Sequence, residues 1–270
     1  MSPEPKPGPT LVFVGTGEAL DPELPNTSLL VRGPSTLLLD CGYAVPHALW
    51  KITRDPDELD AIWISHGHAD HCFGLPALLL WMRLEGRRRA LTIFGGPGSQ
   101  ARLEQILELG YPGSYAPHKC YPIEFVELRA GECTRFGGLE LRSAPTLHSL
   151  ANWALRIDFV AEAGGVGLRS LVYSGDGSPT EASRALCEGV SVLVHECFQV
   201  EPSAGERKHG DLRSLLELAG SAKVATLAVL HFCADARESI GAAARAGRGQ
   251  GFEVLIPRPG DELSLVGSPS

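Results

Sequence analysis

What the chain lacks narrows its reading first. No stretch approaches the ~18 consecutive apolar residues of a membrane-crossing helix, and residues 1–9, proline-rich and polar, have neither the basic nor the apolar region of a signal peptide. Positive charge is scarce. With 24 Lys and Arg against 32 Asp and Glu, a net charge of −8, no overall basic field exists to hold a long nucleic acid by its phosphates. The one basic run, Arg87-Arg88-Arg89, reads as a solvated helix end. Cysteine-pairing patterns are missing too: seven cysteines (41, 72, 120, 133, 187, 197 and 233) show no CxxC or regular spacing, and an odd number cannot all pair within one chain. Free thiols in a reducing, cytoplasmic setting are expected, with no membrane partner. No repeat and no linker interrupts the chain, and 270 residues, 44% hydrophobic, suffice for a single domain over 1–270 with a full core.

What is present centres on Ile62-Trp63-Ile64-Ser65-His66-Gly67-His68-Ala69-Asp70-His71. A buried strand runs out into a tight turn carrying three imidazoles and a carboxylate. Residues two apart on an extended chain share a face, so His66 and His68 can hold one ion while Asp70 and His71 turn toward a second. Small residues at 67 and 69 leave the backbone room to make that turn. One strand-end histidine alone is ordinary; four candidate ligands in six positions are not.

Around this stretch the pattern alternates short apolar strands with amphipathic helices. Residues 10–14 read as a strand halted by Gly15-Thr16-Gly17, and 28–32 with 36–40 as a hairpin ending on Asp40-Cys41-Gly42. Helices are expected over 45–53, 75–84, 100–109, 180–187, 211–218 and 236–246, and strands over 91–94, 170–173, 190–194 and 224–230. Residues 121–128, 139–143 and 153–159 read as strands of a second sheet, with Gly131, Gly137 and Gly138 as punctuation. Tyr111, Tyr115 and His118 read either as loop packing or as the lining of a substrate mouth. Two strand blocks with interspersed helices imply an α/β (α+β) four-layer αββα sandwich. His148, Asp176 and His231 each follow an apolar strand run, and strand ends from one sheet edge can converge on a shared pocket.

The HxHxDH form of residues 66–71, followed by Phe73-Gly74-Leu75-Pro76, resembles the metallo-β-lactamase superfamily and its ribonuclease Z branch. Phe13-Val14-Gly15-Thr16, Asn26 and Asp40-Cys41-Gly42 are placed as in that branch's opening strands. The resemblance implies a metallo-β-lactamase fold, a homodimer, and two divalent ions. His66, His68 and His148 would hold the first, Asp70, His71 and His231 the second, and Asp176 would bridge them. It implies that Asp40 orients a metal-bound histidine; on the residues alone Asp40 reads equally as a turn aspartate capping the next helix. His195-Glu196-Cys197 resembles the branch's HEAT segment, and His209 lies where the branch has a histidine upstream of its last ligand. His209, oriented by Glu196, would then donate or relay a proton to the leaving group, with Asp70 sharing the base role; the alternative is a strand-end Glu196 and an exposed His209 beside Lys208.

Imidazole-rich ligation suits Zn2+ best, with Mn2+ or Fe2+ also compatible. Two divalent cations against two carboxylates leave a positive pocket suited to a phosphodiester, and a shared water acidified by both ions supplies the nucleophile. Departures from the branch bear on the substrate. Only residues 149–175 separate His148 from Asp176, with 163–167 read as a hairpin turn, so the tRNA-gripping arm is missing. Gly177 stands where a Thr is usual, and Phe232-Cys233-Ala234-Asp235 where a Ser-rich stretch is usual. The expected partner is therefore a small phosphodiester or an RNA end. Alternatives are a tRNA 3′-endonuclease, a thioester, lactone or sulfate-ester hydrolase, or a catalytically inactive binding subunit.

Overall fold

The computed structural model describes residues 8–160, 170–202, 208–246 and 251–266. The hairpin turn expected at 163–167 lies outside them. In chain order the elements are β1 (Thr10–Gly15), β2 (Ser28–Arg32), β3 (Leu37–Leu39), α1 (Val45–Ile52), β4 (Ala61–Ile64), α2 (Ala69–Cys72) and α3 (Leu75–Leu84). There follow β5 (Leu91–Gly95), α4 (Ser99–Gly110), β6 (Ile123–Glu127), β7 (Thr134–Phe136), β8 (Leu139–Thr146), β9 (Asn152–Phe159) and β10 (Leu171–Tyr173). The remainder is α5 (Glu181–Leu186), β11 (Val192–Glu196), α6 (Leu212–Ser221), β12 (Thr226–Leu230), α7 (Arg237–Ala246), β13 (Glu253–Leu255) and β14 (Glu262–Ser264).

The strands form two seven-stranded mixed sheets, ordered β14-β1-β2-β3-β4-β5-β6 and β13-β12-β11-β10-β9-β8-β7. Alternation along each strand explains the layering. Leu11, Phe13, Leu29, Val31, Leu37, Leu39 and Trp63 point between the sheets, where they meet Leu141, Leu155, Tyr173, Val194 and Leu230. Their neighbours Val12, Leu30, Leu38, Ile62 and Ile64 face the other way, against Leu49, Leu75, Leu78, Leu79 and Leu103 of α1, α3 and α4. On the far side Leu193, Leu227 and Val229 pack on Leu212, Leu215 and Ile240 of α6 and α7. Strands buried on both faces carry near-continuous apolar sequence, and helices must cover those faces: this is the αββα sandwich.

Strand direction sets where the chemistry lies. β3 to β6 run parallel, as do β10 to β13. β8 and β10 are both antiparallel to β9 and so run the same way. Hence the residues following β3, β4, β8, β10, β11 and β12 emerge at one rim of the sandwich.

Three expectations are corrected. β6, within the 121–128 segment, belongs to the first sheet, parallel to β5 through the α4 crossover, because alternation marks a strand but not its partner. β7, β13 and β14 are short strands that the sequence pattern did not show. Arg87 is not solvated: it is fully buried and donates to the carbonyls of Pro56, Leu59, Arg89 and Ala90. Tyr115 packs against the helical side of the first sheet and donates to the Pro76 carbonyl at 2.6 Å.

Candidate metal centre

At that rim two groups of side chains converge. His66, His68, His148 and Asp176 form one, Asp70, His71, Asp176 and His231 the other; within each group the ligand-capable atoms lie within 4.8 Å of one another. Asp176 belongs to both. Its Oδ2 lies 3.8 Å from His66 Nε2, 3.8 Å from His148 Nε2 and 3.5 Å from His231 Nε2, while Oδ1 lies 3.3 Å from His71 Nε2. Asp70 Oδ2 is 3.1 Å from that same His71 nitrogen.

Proton directions fix the outer nitrogen of four rings. Ser65 Oγ donates to Asp40 Oδ2 at 2.7 Å, so it accepts from His66 Nδ1 at 3.0 Å. Thr27 Oγ1 donates to the Gly17 carbonyl, so it accepts from His231 Nδ1 at 3.1 Å. The Lys208 carbonyl accepts from His148 Nδ1, and Asp40 Oδ2 accepts from His71 Nδ1. In each case Nε2 is turned inward. His68 instead presents Nδ1, 2.9 Å from His66 Nε2 and 3.2 Å from His148 Nε2. Rings held by an outer acceptor with the other nitrogen bare are arranged as metal-binding histidines are. His71 Nε2 and Asp176 Oδ1 are buried and make no hydrogen bond. Buried polar atoms are almost always paired, so two orphans aimed at a common point fit a cation between them.

The backbone is bent to deliver these groups. Asp40 and His231 have φ of 60° and 59°, the left-handed region that non-glycine residues avoid. Asn152, at the start of β9, grips the Asp176 loop: its Nδ2 donates to the Ser174 carbonyl at 2.9 Å and to the Asp176 carbonyl at 2.5 Å, and its Oδ1 accepts from Asp176 N at 3.2 Å.

Ionisation follows from burial and neighbours. Burial, then the adjacent His71, pushes His66 well below the usual imidazole range. His71 goes the other way: burial opposes its charge, but Asp176 and Asp40 raise it well above that range. Burial likewise opposes the Asp176 charge, yet His231 and His71 hold its carboxyl well below the usual value. Burial opposes the Asp70 charge as well, but the His71 ring 3.1 Å away lowers its carboxyl from the usual value.

Glu196 is fully buried and accepts at Oε1 from Gly177 N (2.7 Å), Gly210 N (3.0 Å) and His209 Nδ1 (3.1 Å). His209 is 32% exposed; its ring stacks on Phe198 at 4.5 Å and stands edge-on to His148 at 5.1 Å. Burial lowers its pKa, but the Glu196 bond and charge raise it above the usual value. His195 stays apart, buried with Nδ1 on the Glu196 carbonyl at 2.7 Å. Sequence reasoning singled out neither Ser65, Thr27, Asn152, Phe198 nor the Tyr173 hydroxyl; none carries a signal beyond that of an ordinary strand or loop residue.

Comparison with known proteins agrees with this geometry. Ribonuclease BN of Escherichia coli O17:K52:H18 is 28% identical over 273 aligned positions, spanning 82% of this chain and 88% of the relative. The metallo-β-lactamase fold protein YhfI from Bacillus subtilis superposes with a TM-score of 0.76 at 20% identity, over 94% of this chain and 98% of that one. Human tRNase Z, short form, gives a TM-score of 0.72 at 20% identity, over 95% and 99%. The fold is therefore that of the metallo-β-lactamase proteins. Residues 9–248 match the family model described as Anti-Pycsar protein Apyc1, and the chain belongs to that family.

Proposed function

We propose that the protein is a dinuclear-metal hydrolase of small phosphodiesters. The observation that carries this is Asp176, shared by two four-residue ligand groups whose inner nitrogens and oxygens point at one another. His66, His68 and His148 would hold one ion, Asp70, His71 and His231 the other, with Asp176 common to both. The imidazole majority among the donors favours zinc, and manganese or iron suit the same set. Two such cations, when bound, polarise a phosphoryl oxygen and acidify water.

The chain's own residues then do the rest. Asp40, Ser65, Thr27 and the Lys208 carbonyl each accept from Nδ1 of one ring, so that on the neutral imidazole the inward Nε2 would be the lone pair offered to an ion. Asp70, its pKa held down by His71, is a carboxylate able to accept a proton from attacking water. His209, whose protonated form the bond to Glu196 favours, stands beside His148 on the exposed side and supplies a proton to the departing oxygen. Attack, charge build-up on the phosphoryl oxygens and proton delivery thus fall on separate groups.

A small substrate is favoured over tRNA because the span between His148 and Asp176 is too short for a tRNA-gripping arm, and the chain is net −8. The relative named Ribonuclease BN supports an RNA end as the second reading. Seven unpaired cysteines support a reducing, cytoplasmic setting, and among the described residues no helix is long and apolar enough to cross a membrane. One fold unit over 1–270 and a homodimer complete the proposal. Metal analysis coupled to turnover of bis(p-nitrophenyl) phosphate, a thioester panel and a precursor tRNA tests it. Two ions per chain with diester turnover are expected; thioester turnover alone, or no bound ion, would overturn it.

A further inference from the structure

We propose that the Tyr173 hydroxyl is a positioning group: through Asp40 it ties the strand leading to Asp176 to His71, and so sets the affinity of the Asp70–His71–Asp176–His231 group for its ion. This rests on the reading of that group as a metal site.

Tyr173 closes β10 in the second sheet; Asp40 follows β3 in the first. The ring lies in the core between the sheets, fully buried. Its hydroxyl donates to Asp40 Oδ2 at 2.6 Å. The same oxygen accepts from His71 Nδ1 and from Ser65 Oγ, each at 2.7 Å, and Oδ1 accepts from Ser65 N at 2.7 Å. Of these donors only Tyr173 comes from the opposite sheet. Burial first, then the Asp40 charge, pushes the phenol well up, so it stays an O–H donor.

The ligand set is split in the same way. His66, His68, Asp70 and His71 hang from the first sheet; His148, Asp176 and His231 hang from the second. Ion affinity therefore depends on how the two sheets are registered at the rim. Asp176 lies three residues beyond Tyr173, and the intervening loop has no slack: a Cβ on Gly175 would come within 2.4 Å of Asn152 Oδ1 and 2.6 Å of Ser65 Cβ. One hydroxyl thus fixes His71 through Asp40 and, along its own chain, Asp176. Without the Tyr173 hydroxyl, the Asp40 side chain keeps only the first-sheet donors Ser65 and His71, and His71 loses its tie to the second sheet.

The test is chelator competition on metal-free protein reloaded with Zn2+, in Tyr173→Phe, Asp40→Asn and the double variant. The control is Tyr121→Phe, which removes another buried tyrosine hydroxyl, 3.4 Å from the Leu79 carbonyl on the helical side of the first sheet. Tyr173→Phe should weaken one of two ions about 10- to 100-fold and leave the other unchanged. In the Asp40→Asn background the same change should add less than about twofold, since the hydroxyl acts through that carboxylate. Wild-type affinity for both ions in Tyr173→Phe, equal loss in Tyr121→Phe, or full additivity in the double variant would each overturn the proposal. If metal-free Tyr173→Phe does not fold, 3-fluorotyrosine at 173 replaces it: an altered affinity of the one ion supports the tie, and unchanged affinity overturns it. A wild-type chain that takes up no Zn2+ would instead refute the metal-site reading itself.

Discussion

The two halves of the metal centre are built differently. The first-sheet half is one turn of chain after β4, with all four candidate ligands inside residues 66–71. The second-sheet half is three residues on three separate loops, after β8, β10 and β12, brought together by strands that run the same way. A local turn carries its ligands wherever the strand goes; the dispersed half exists only while the second sheet holds its order. Damage to the first half should therefore be local, and damage to the second should spread.

Asp176→Ala gives the largest effect, because it removes the one second-sheet residue that belongs to both ligand groups. Metal content is expected to fall from two ions to one or none and diester turnover to drop to background; metal analysis with retained activity would break the comparison. Next, His66→Ala and His231→Ala should each cost one ion and leave the other, at opposite ends of the centre. Loss of both ions from either variant would mean that the two ion groups are not separable.

His209→Ala should retain both ions while slowing alkoxide leaving groups by about 10²- to 10⁴-fold, with p-nitrophenolate slowed far less. Equal slowing of both would argue against proton delivery. The pH dependence has a definite sign. His209 has a raised folded pKa, so its pairing with Glu196 stabilises the fold fully below the unfolded value of ~6.5 and is lost as pH rises through the folded value. The rate for alkoxide leaving groups should fall over the same window, and the His209→Ala profile should be flat there.

The smallest effects come from two glycines. Gly175, at φ 59°, is wedged between Asn152 and Ser65, and Gly175→Ala should destabilise the protein by about 1–3 kcal/mol. A Cβ on Gly67 would meet only the flexible Arg102 side chain, and Gly67→Ala should cost about 0.5 kcal/mol or less. Thermal unfolding of the two variants checks this, and a reversed order would contradict the contrast between the halves.

The same asymmetry decided what the sequence disclosed. Residues 66–71 announce themselves because ligand spacing and strand period lie in a single stretch. His148, Asp176 and His231 were assigned through a family resemblance, since nothing in residue spacing links them to one another or to the stretch at 66–71. The sandwich was legible from alternating apolar runs, but the partner of β6 was not, because pairing depends on the α4 crossover rather than on the strand's own residues. Asn152 and Thr27 stayed invisible: their roles lie in side-chain hydrogen bonds to other loops, and their residue types are common at strand ends.

The hydroxyls of Ser65 and Thr27 have each given their own hydrogen to a neighbouring acceptor, leaving only a lone pair for the imidazole behind them. They act as one-way valves for ring orientation, set by the fold before any cation arrives. Metal uptake should therefore require shedding of water and protons rather than a search among ring flips, and loading should run as a fast bimolecular step in a chain already in its final shape.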